Sequence, residues 1–233
     1  MSLQSVRRKS MGTVVRRRSN AVTEEAIAER RVEILRSTAS VIVHSGLSGC
    51  SFGAVSDATG FSVGMIQHYF RTRDKLIEAC VEHRMEESEA EWRQIASRDG
   101  EADAARKLRG LIDYAVMGEK DFTDAWGFWF ELYAAARLDP SLAEKVNDRL
   151  RYWQRLFTEA IQDALDSGQA VTDRTVEDVV NSVLGLTDGL AFQAINGTFG
   201  MTAPRMHAIL HSFVESELQL PRATAVVTAV DYH

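Results

Sequence analysis

The stretch between residues 126 and 157 is rich in aromatic side chains. Trp126, Phe130 and Tyr133 recur at helical spacing and therefore share one helix face. Trp153 and Phe157 do the same further along the chain. Such faces could line a cavity for an apolar molecule, hold a quaternary ammonium by cation–π attraction, or simply pack as a bulky core. The candidate ligand-binding residues are Trp126, Trp129, Phe130, Tyr133, Trp153 and Phe157.

Four polar residues in or beyond this stretch could anchor a ligand, namely Glu131, Asn181, Asp188 and Asn196. Asp188 is the most informative, because it lies within the apolar segment that begins near Leu184. Its position indicates either a buried hydrogen-bonding carboxyl group or part of a contact between subunits. For most of these residues, solvation on a helix surface or helix capping is the simpler interpretation.

Metal-ligating and thiol side chains are sparse. His207 and His211 are four residues apart on one helix face and could hold a metal ion, but the sequence shows no third acidic or thiol ligand beside them. We therefore expect no metal and no cofactor. Cys50 and Cys80 match neither a disulfide framework nor a zinc-site spacing, so they are predicted to be free thiols.

Charge is distributed unevenly along the 233 residues. Residues 1–22 carry six basic and no acidic side chains, whereas the rest of the chain has 21 of the 27 basic residues and all 33 acidic ones, a net charge of −12. This arm is either a solvated tail or a flexible segment that binds a polyanion such as DNA. No apolar run is long enough to span a membrane and no secretory signal is visible, so a cytoplasmic protein is expected.

Apolar periodicity and capping residues predict an all-α chain without a sheet. The first helix has an apolar face that includes Ile27, Ile34, Leu35, Ala39 and Ile42, and it should end at Gly46. The predicted helices cover residues 23–44, 52–59, 63–69, 73–95, 104–117, 124–138, 141–166, 173–195 and 203–218. We expect a basic flexible arm over 1–22, a small three-helix domain over 23–72 and a larger helical domain over 73–233.

The two short helices around Gly60 carry a specific motif. The segment FGAVSDATGFSVGMIQHYFRTRDKL, which starts at Phe52, resembles the signature of the TetR family of transcriptional regulators along its whole length. Val55, Ala58, Ile66 and Phe70 are predicted to form its small core, with Gly60 in the turn. The resemblance implies a helix-turn-helix that binds DNA.

On such a fold, residues 63–69 form the recognition helix and lie in the major groove. Gln67 is suited to a two-pronged contact with adenine, and Val63 or Met65 could pack on a thymine methyl group. The resemblance implies phosphate contacts from Ser51, Tyr69 and Arg73, with His68 in either group. The candidate DNA-binding residues are Ser51, Ser62, Val63, Gly64, Met65, Gln67, His68, Tyr69 and Arg73.

The remainder of the chain resembles the BetI-like branch of this family, through WGFWFEL from Trp126, DPSL from Asp139 and LTDGLA from Leu186. This resemblance implies that the last two helices pair with those of a second subunit as a four-helix bundle. The apolar residues available for that contact are Val179, Val183, Leu186, Leu190, Ile209, Leu210 and Phe213. The alternative is that they form a core within one chain.

These features predict a ligand-responsive regulator, most simply a homodimeric repressor that binds a palindromic operator and is released by a small molecule. An activator, or a regulator that responds to a protein partner, remains the alternative. An enzyme is not expected, because the sequence has no Gly-rich phosphate loop, nucleophile elbow or metal-ligand cluster.

Overall fold

The computed structural model describes residues 12–98, 103–117 and 121–220. Over these residues the chain forms nine α-helices and one 3₁₀ turn, with no strand, which confirms the predicted all-α class. The α-helices are α1 Gly12–Gly49, α2 Phe52–Thr59, α3 Val63–Phe70, α4 Arg73–Arg98, α5 Ala104–Met117, α6 Phe122–Ala136, α7 Pro140–Asp166, α8 Val176–Ile195 and α9 Ala203–Glu217. Within the described ranges, no helix is long and apolar enough to cross a membrane.

The chain divides into two compact units, Met1–His83 and Arg84–His233. Unit 1 contains α1, α2, α3 and the first turns of α4, and its boundary falls inside α4 instead of before Arg73. Helix α1 begins at Gly12, so its backbone includes part of the segment predicted to be a flexible arm. The first 11 residues of that arm lie outside the described residues. The predicted end of the helix coincides with a break at Gly46, which has φ 70° and ψ 165°.

Helices α2 and α3 have the boundaries that their capping residues predict. Ser51 caps α2 by accepting a hydrogen bond from the amide of Ala54 at 3.1 Å. Gly60 ends α2 in the left-handed region at φ 73°, a conformation that costs glycine little. Ser62 then caps α3 by accepting from the amide of Met65 at 3.2 Å.

The core of unit 1 joins α1 to the short helices. Its buried residues are Ile34, Leu35, Ala39, Ile42, Val55, Ile66, Phe70, Leu76, Ile77, Cys80 and Val81. One predicted core position is wrong, because Ala58 is exposed. Ile27, on the predicted apolar face of α1, is 42% exposed. Val55 is the buried residue of α2, and Ala58 lies about 60° around the helix from it, on the exposed side, because each residue turns the helix by about 100°.

Unit 2 comprises the rest of α4 and helices α5 to α9, and a large apolar cluster joins α5, α7, α8 and α9. Helix α6 begins two residues before its predicted start, because the Asp121 carboxylate accepts hydrogen bonds from the amides of Thr123 and Asp124. Thr175 caps α8 in the same way, which delays that helix to Val176. The largest fully buried side chains of this unit are Trp129, Phe128, Phe157, Leu108, Leu111, Ile112, Leu132 and Ile161.

Candidate DNA-binding surface and ligand cavity

Helix α3 presents most of its predicted DNA-facing residues to solvent. Ile66 and Phe70, four residues apart, are buried and anchor one side of the helix in unit 1. The opposite side carries the exposed residues Ser62, Val63, Gly64, Gln67 and His68. Met65 and Tyr69 are half-buried at its edges. The surface therefore offers one amide, one imidazole and small apolar groups to a ligand.

Tyr69 lies between the exposed face and the core. Its ring centroid is 6.0 Å from that of His68 and 6.1 Å from that of Phe70. Phe70 is buried and also lies 5.2 Å from the Arg31 guanidinium, which accounts for it as a packing residue. The half-buried position of Tyr69 is compatible with the predicted combination of ring packing and hydroxyl contact.

Arg73 is held by the backbone of unit 1. Its Nε donates to the carbonyl of Cys50 at 2.6 Å, and Nη2 donates to the carbonyl of Leu47. Nη1 lies 3.8 Å from the Asp74 carboxylate. The side chain thus ties the start of α4 to the segment that joins α1 and α2, a role that the sequence pattern did not indicate. A phosphate contact from Arg73 stays a prediction.

A cavity of about 650 Å³, counting its opening to solvent, lies within unit 2. The space inside it that can hold the centres of water-sized molecules is much smaller, about 60 Å³, so side chains of the wall would have to move to admit an organic molecule. Helices α4 to α8 all contribute to its wall. The lining residues are Ser88, Tyr114, Ala115, Val116, Ala125, Trp126, Trp129, Tyr133, Arg149, Leu150, Trp153, Phe157, Leu184, Thr187 and Asp188.

Of the six predicted ligand-binding residues, Phe130 is the one that does not line this cavity. Its ring packs against Trp126 at 5.8 Å, Tyr133 at 6.0 Å and Phe192 at 5.7 Å between ring centroids. Trp126, Trp129, Tyr133, Trp153 and Phe157 do line the wall. On α6 the inward residues follow the spacing 126, 129 and 133, which leaves Phe130 on a flank facing α8.

Arg149 is the principal lining residue that sequence reasoning missed. It is 8% exposed, and its guanidinium carbon lies 3.5 Å from the ring centroid of Trp129 and 5.7 Å from that of Trp153. The aromatic wall therefore already holds a cation that belongs to the protein. A sequence signal existed, since Arg149 lies four residues before Trp153 and so shares its face of α7.

The polar groups of the cavity include donors that are unsatisfied within the described structure. The indole Nε1 atoms of Trp129 and Trp153 are buried and have no hydrogen-bond partner among the described residues. By contrast, the Tyr114 hydroxyl donates to the carbonyl of Ser88 at 2.7 Å. An unpaired buried N–H is costly, so a hydrogen-bond acceptor brought within reach of either indole would stabilise this region.

Asp188 provides the carboxylate of the cavity. Burial raises the pKa of Asp188 to about 6, although the nearby Arg149 guanidinium opposes this shift. Burial likewise raises the pKa of Tyr133, so its phenol is neutral. The other polar candidates do not line the cavity. Among them, Asn181 is exposed and the Asn196 amide donates to the carbonyl of Phe192.

A family model described as the C-terminal domain of BetI-type transcriptional repressors matches residues 102–219, about half of the chain. This chain belongs to the BetI-type branch of the TetR family of transcriptional regulators. The match covers helices α5 to α9 and so includes most of the cavity wall. Members of this family are regulators, which agrees with the predicted absence of an enzyme class.

Individual relatives are more distant. The transcriptional regulator BetI of Paraburkholderia xenovorans is 26% identical over 127 residues, 53% of this chain and 64% of that protein. BetI of Stenotrophomonas maltophilia is 29% identical over 132 residues, 55% of this chain and 64% of that protein. The chain thus matches just under two thirds of the length of these curated relatives. A transcriptional regulator from Saccharomonospora viridis, solved in complex with choline, has a TM-score of 0.75 at 21% identity, covering 84% of this chain and 100% of that one.

In this TetR-family chain, α8 and α9 leave part of their apolar surface open. Four of the predicted dimer-contact residues are instead buried inside the single chain, namely Val179, Val183, Leu190 and Leu210. Leu186, Ile209 and Phe213 are half-buried. Phe192 is 55% exposed on α8, and Phe199 is 82% exposed at a φ of 55°, a conformation that non-glycine residues seldom adopt.

Proposed function

We propose that this protein is a homodimeric repressor that binds a palindromic operator through α3 and leaves it when a small organic molecule occupies the cavity of unit 2. The observation that carries the proposal is the pairing of an exposed α3 face with a cavity that contains unsatisfied donors. Helix α4 contributes residues to both units, so a displacement of α4 by the occupant is the proposed route of communication.

The DNA-binding part of the proposal assigns base contacts to the exposed face of α3. Gln67 would pair with adenine, while Val63, 39% exposed, would contact a thymine methyl group. Ser51, Tyr69 and Arg73 would contact phosphates through their hydroxyl and guanidinium groups, and Ser62 would face the base edges. His68 lies on the same face and would serve either purpose.

The dimer part of the proposal is supported by the open surface of α8 and α9. A second copy of the chain would cover Phe192 and Phe199, whose aromatic rings are exposed in the single chain. Removing these two rings from water would favour association. Ile209 and Phe213 line an adjoining open groove on α9. Two-fold symmetry between the copies would match a palindromic operator with half-sites about one or more helical turns of DNA apart.

The cavity suits an organic cation that also carries an oxygen acceptor. The positive group would lie against the aromatic wall and the Asp188 carboxylate, and the oxygen would accept from the indole of Trp129 or Trp153. Choline has both features and was bound to the regulator from S. viridis. Binding would require Arg149 to share or vacate its position on Trp129.

The experiment measures DNA binding and ligand binding on the same protein. An operator is first selected with the full chain from random duplex DNA, and choline and small molecules that co-purify with the protein are then titrated into the complex. We expect the effective ligand to weaken operator binding and the operator to weaken ligand binding by the same factor. Trp153→Phe, which removes an indole donor, should lower ligand affinity, whereas Phe130→Leu, outside the cavity, is the matched control. Equal ligand affinity with and without operator would contradict the proposal.

A further inference from the structure

Two helices of unit 2 bring three metal-ligating side chains together outside the cavity. His207 and His211 of α9 face Asp113 of α5, and both imidazole Nε2 atoms lie 2.6 Å from the same carboxylate oxygen, Oδ1. The two imidazole ring centroids are 4.3 Å apart. All three ligand atoms lie within 4.8 Å of one another.

Asp113 is the third ligand that the sequence does not place beside the histidine pair. It lies 94 residues before His207, and only the packing of α5 on α9 brings them together. One turn away on the same helices, Arg109 forms an ion pair with Glu215 at 2.9 Å. The two contacts show that α5 and α9 run antiparallel with their polar edges in register.

The chemistry of the cluster fits a transition-metal ion. Imidazole nitrogen and carboxylate oxygen are ligands of Zn²⁺ and its neighbours in the first transition row, at about 2.0–2.2 Å from the metal. The present N···O distances of 2.6 Å would have to widen to about 3.3 Å, the separation of two ligands in a tetrahedral site.

The cluster is also accessible. Asp113 is exposed and the two histidines are half-buried, so an ion can enter and water can complete its coordination. On α9 the histidines lie on the side that faces α5. Ile209 and Ser212 lie toward the opposite side, on the open groove, because each residue turns the helix by about 100°. A dimer formed through that groove would leave the cluster free.

We propose that Asp113, His207 and His211 form a site for one divalent transition-metal ion per chain, with Zn²⁺ as the best-matched ion. A bound ion would cross-link α5 to α9. Because Tyr114 follows Asp113 directly and lines the cavity, the ion would also fix one part of the cavity wall. The site requires neither the proposed operator nor the proposed organic ligand, so the two proposals can fail separately.

The first experiment measures metal binding to the full chain after chelator treatment. Titration calorimetry with Zn²⁺ should give one ion per chain, and Co²⁺ should produce a visible absorption band of a histidine-ligated site. His207→Gln, His211→Gln and Asp113→Asn should each weaken binding by at least about tenfold, in line with the loss of one ligand from three. Asp163→Asn is the matched control, because it removes a comparable ion pair with Lys107 between α5 and α7.

For each variant, the unfolding temperature is measured with and without Zn²⁺. Metal binding is read from the difference between the two temperatures, so that a variant with a less stable metal-free form can still be compared. If a variant does not fold, NMR of ¹⁵N-histidine in the unaltered chain provides the decisive measurement, since Zn²⁺ should shift the ring nitrogens of two of the six histidines. Absence of Zn²⁺ binding to the unaltered chain, or equal binding by the cluster variants and Asp163→Asn, would overturn the proposal and leave an ordinary ion pair.

Discussion

At the residue scale, single side chains have roles that can be separated by experiment. Gln67 is exposed on α3, and its neighbour Ile66 is fully buried, so the amide can be removed without disturbing the core. Gln67→Ala should therefore leave the free energy of unfolding nearly unchanged and cost about 1–3 kcal/mol of discrimination at one base pair per half-site. Selection of binding sites from random DNA measures the change. An unaltered consensus would remove Gln67 from base recognition.

Arg73 presents the opposite case, since its guanidinium donates to the carbonyls of Leu47 and Cys50. We expect Arg73→Ala to lower the free energy of unfolding by about 1–3 kcal/mol, because two carbonyls are deprived of a charged donor, and to weaken binding to all DNA sequences equally. Lys75→Ala is the control, because Lys75 is exposed and equally basic. Thermal unfolding that is unchanged by Arg73→Ala would contradict the structural role of this side chain.

Asp188 should produce a pH dependence of stability. Because its pKa is raised from 3.8 to about 6 in the folded chain, the folded state binds the proton more tightly than the unfolded state. The stabilisation from this proton is present below about pH 4 and is lost as the pH rises through 6. Relative to Asp188→Asn, the unaltered chain should lose about 2–3 kcal/mol of unfolding free energy between pH 4 and 7. Parallel stability curves for the two proteins would contradict the assignment.

At the element scale, the turn between α2 and α3 sets the orientation of α3. Gly60 has φ 73°, and an added Cβ would meet no neighbour, so the cost of Gly60→Ala arises from the backbone alone. We expect a loss of about 1–2 kcal/mol in the free energy of unfolding.

The same substitution at Gly64 is the matched control. Gly64 lies within α3 and is also free of close neighbours, but its φ is helical, so Gly64→Ala should be neutral or stabilising by up to about 1 kcal/mol. Its exposed position predicts weaker DNA binding, because the new methyl group would stand between α3 and the groove. Chemical denaturation and DNA titration of both variants separate these effects. Equal stability losses would contradict the role assigned to the turn.

Element geometry also explains the composition of the cavity wall. Residues 126, 129 and 133 of α6 and residues 149, 153 and 157 of α7 repeat at three- and four-residue steps, so each helix turns one stripe toward the cavity. One consequence is that Arg149 is placed among tryptophans on the stripe of its own helix. The cavity is thus built from helix faces and requires no special loop.

At the scale of the whole molecule, the charge distribution predicts that binding to DNA depends on salt concentration. Residues 1–22 contain six basic side chains in a chain whose other residues are net acidic. Since the backbone from Gly12 is part of α1, replacing the six basic residues by glutamine is preferable to deletion. We expect the slope of log K against log[salt] to fall by roughly 0.9 for each phosphate that the arm no longer neutralises. Operator titrations at several salt concentrations measure it, and equal slopes would exclude the arm from binding.

Much of this architecture follows from local signals in the sequence. The boundaries of α2 and the start of α3 were predicted correctly, because Ser51, Gly60 and Ser62 act within their own turns. Five of the six predicted aromatic residues line the cavity, because helical periodicity alone determines which side chains share a face. Ala58 was wrongly assigned to the core for a related reason. Periodicity indicates which side of α2 faces the core, but it does not indicate how far around the helix the buried surface extends.

Contacts between distant residues depended on the tertiary structure. Three contacts join residues on different segments of the chain: the hydrogen bond from Arg73 to the carbonyl of Leu47, the stacking of Arg149 on Trp129, and the contact between Asp113 and His207. Periodicity orients a side chain about its own helix axis but carries no information on which helix lies opposite or at what register. That choice is made by the packing of the whole core, and it is the reason that the third ligand of the proposed metal site became visible only in the folded chain.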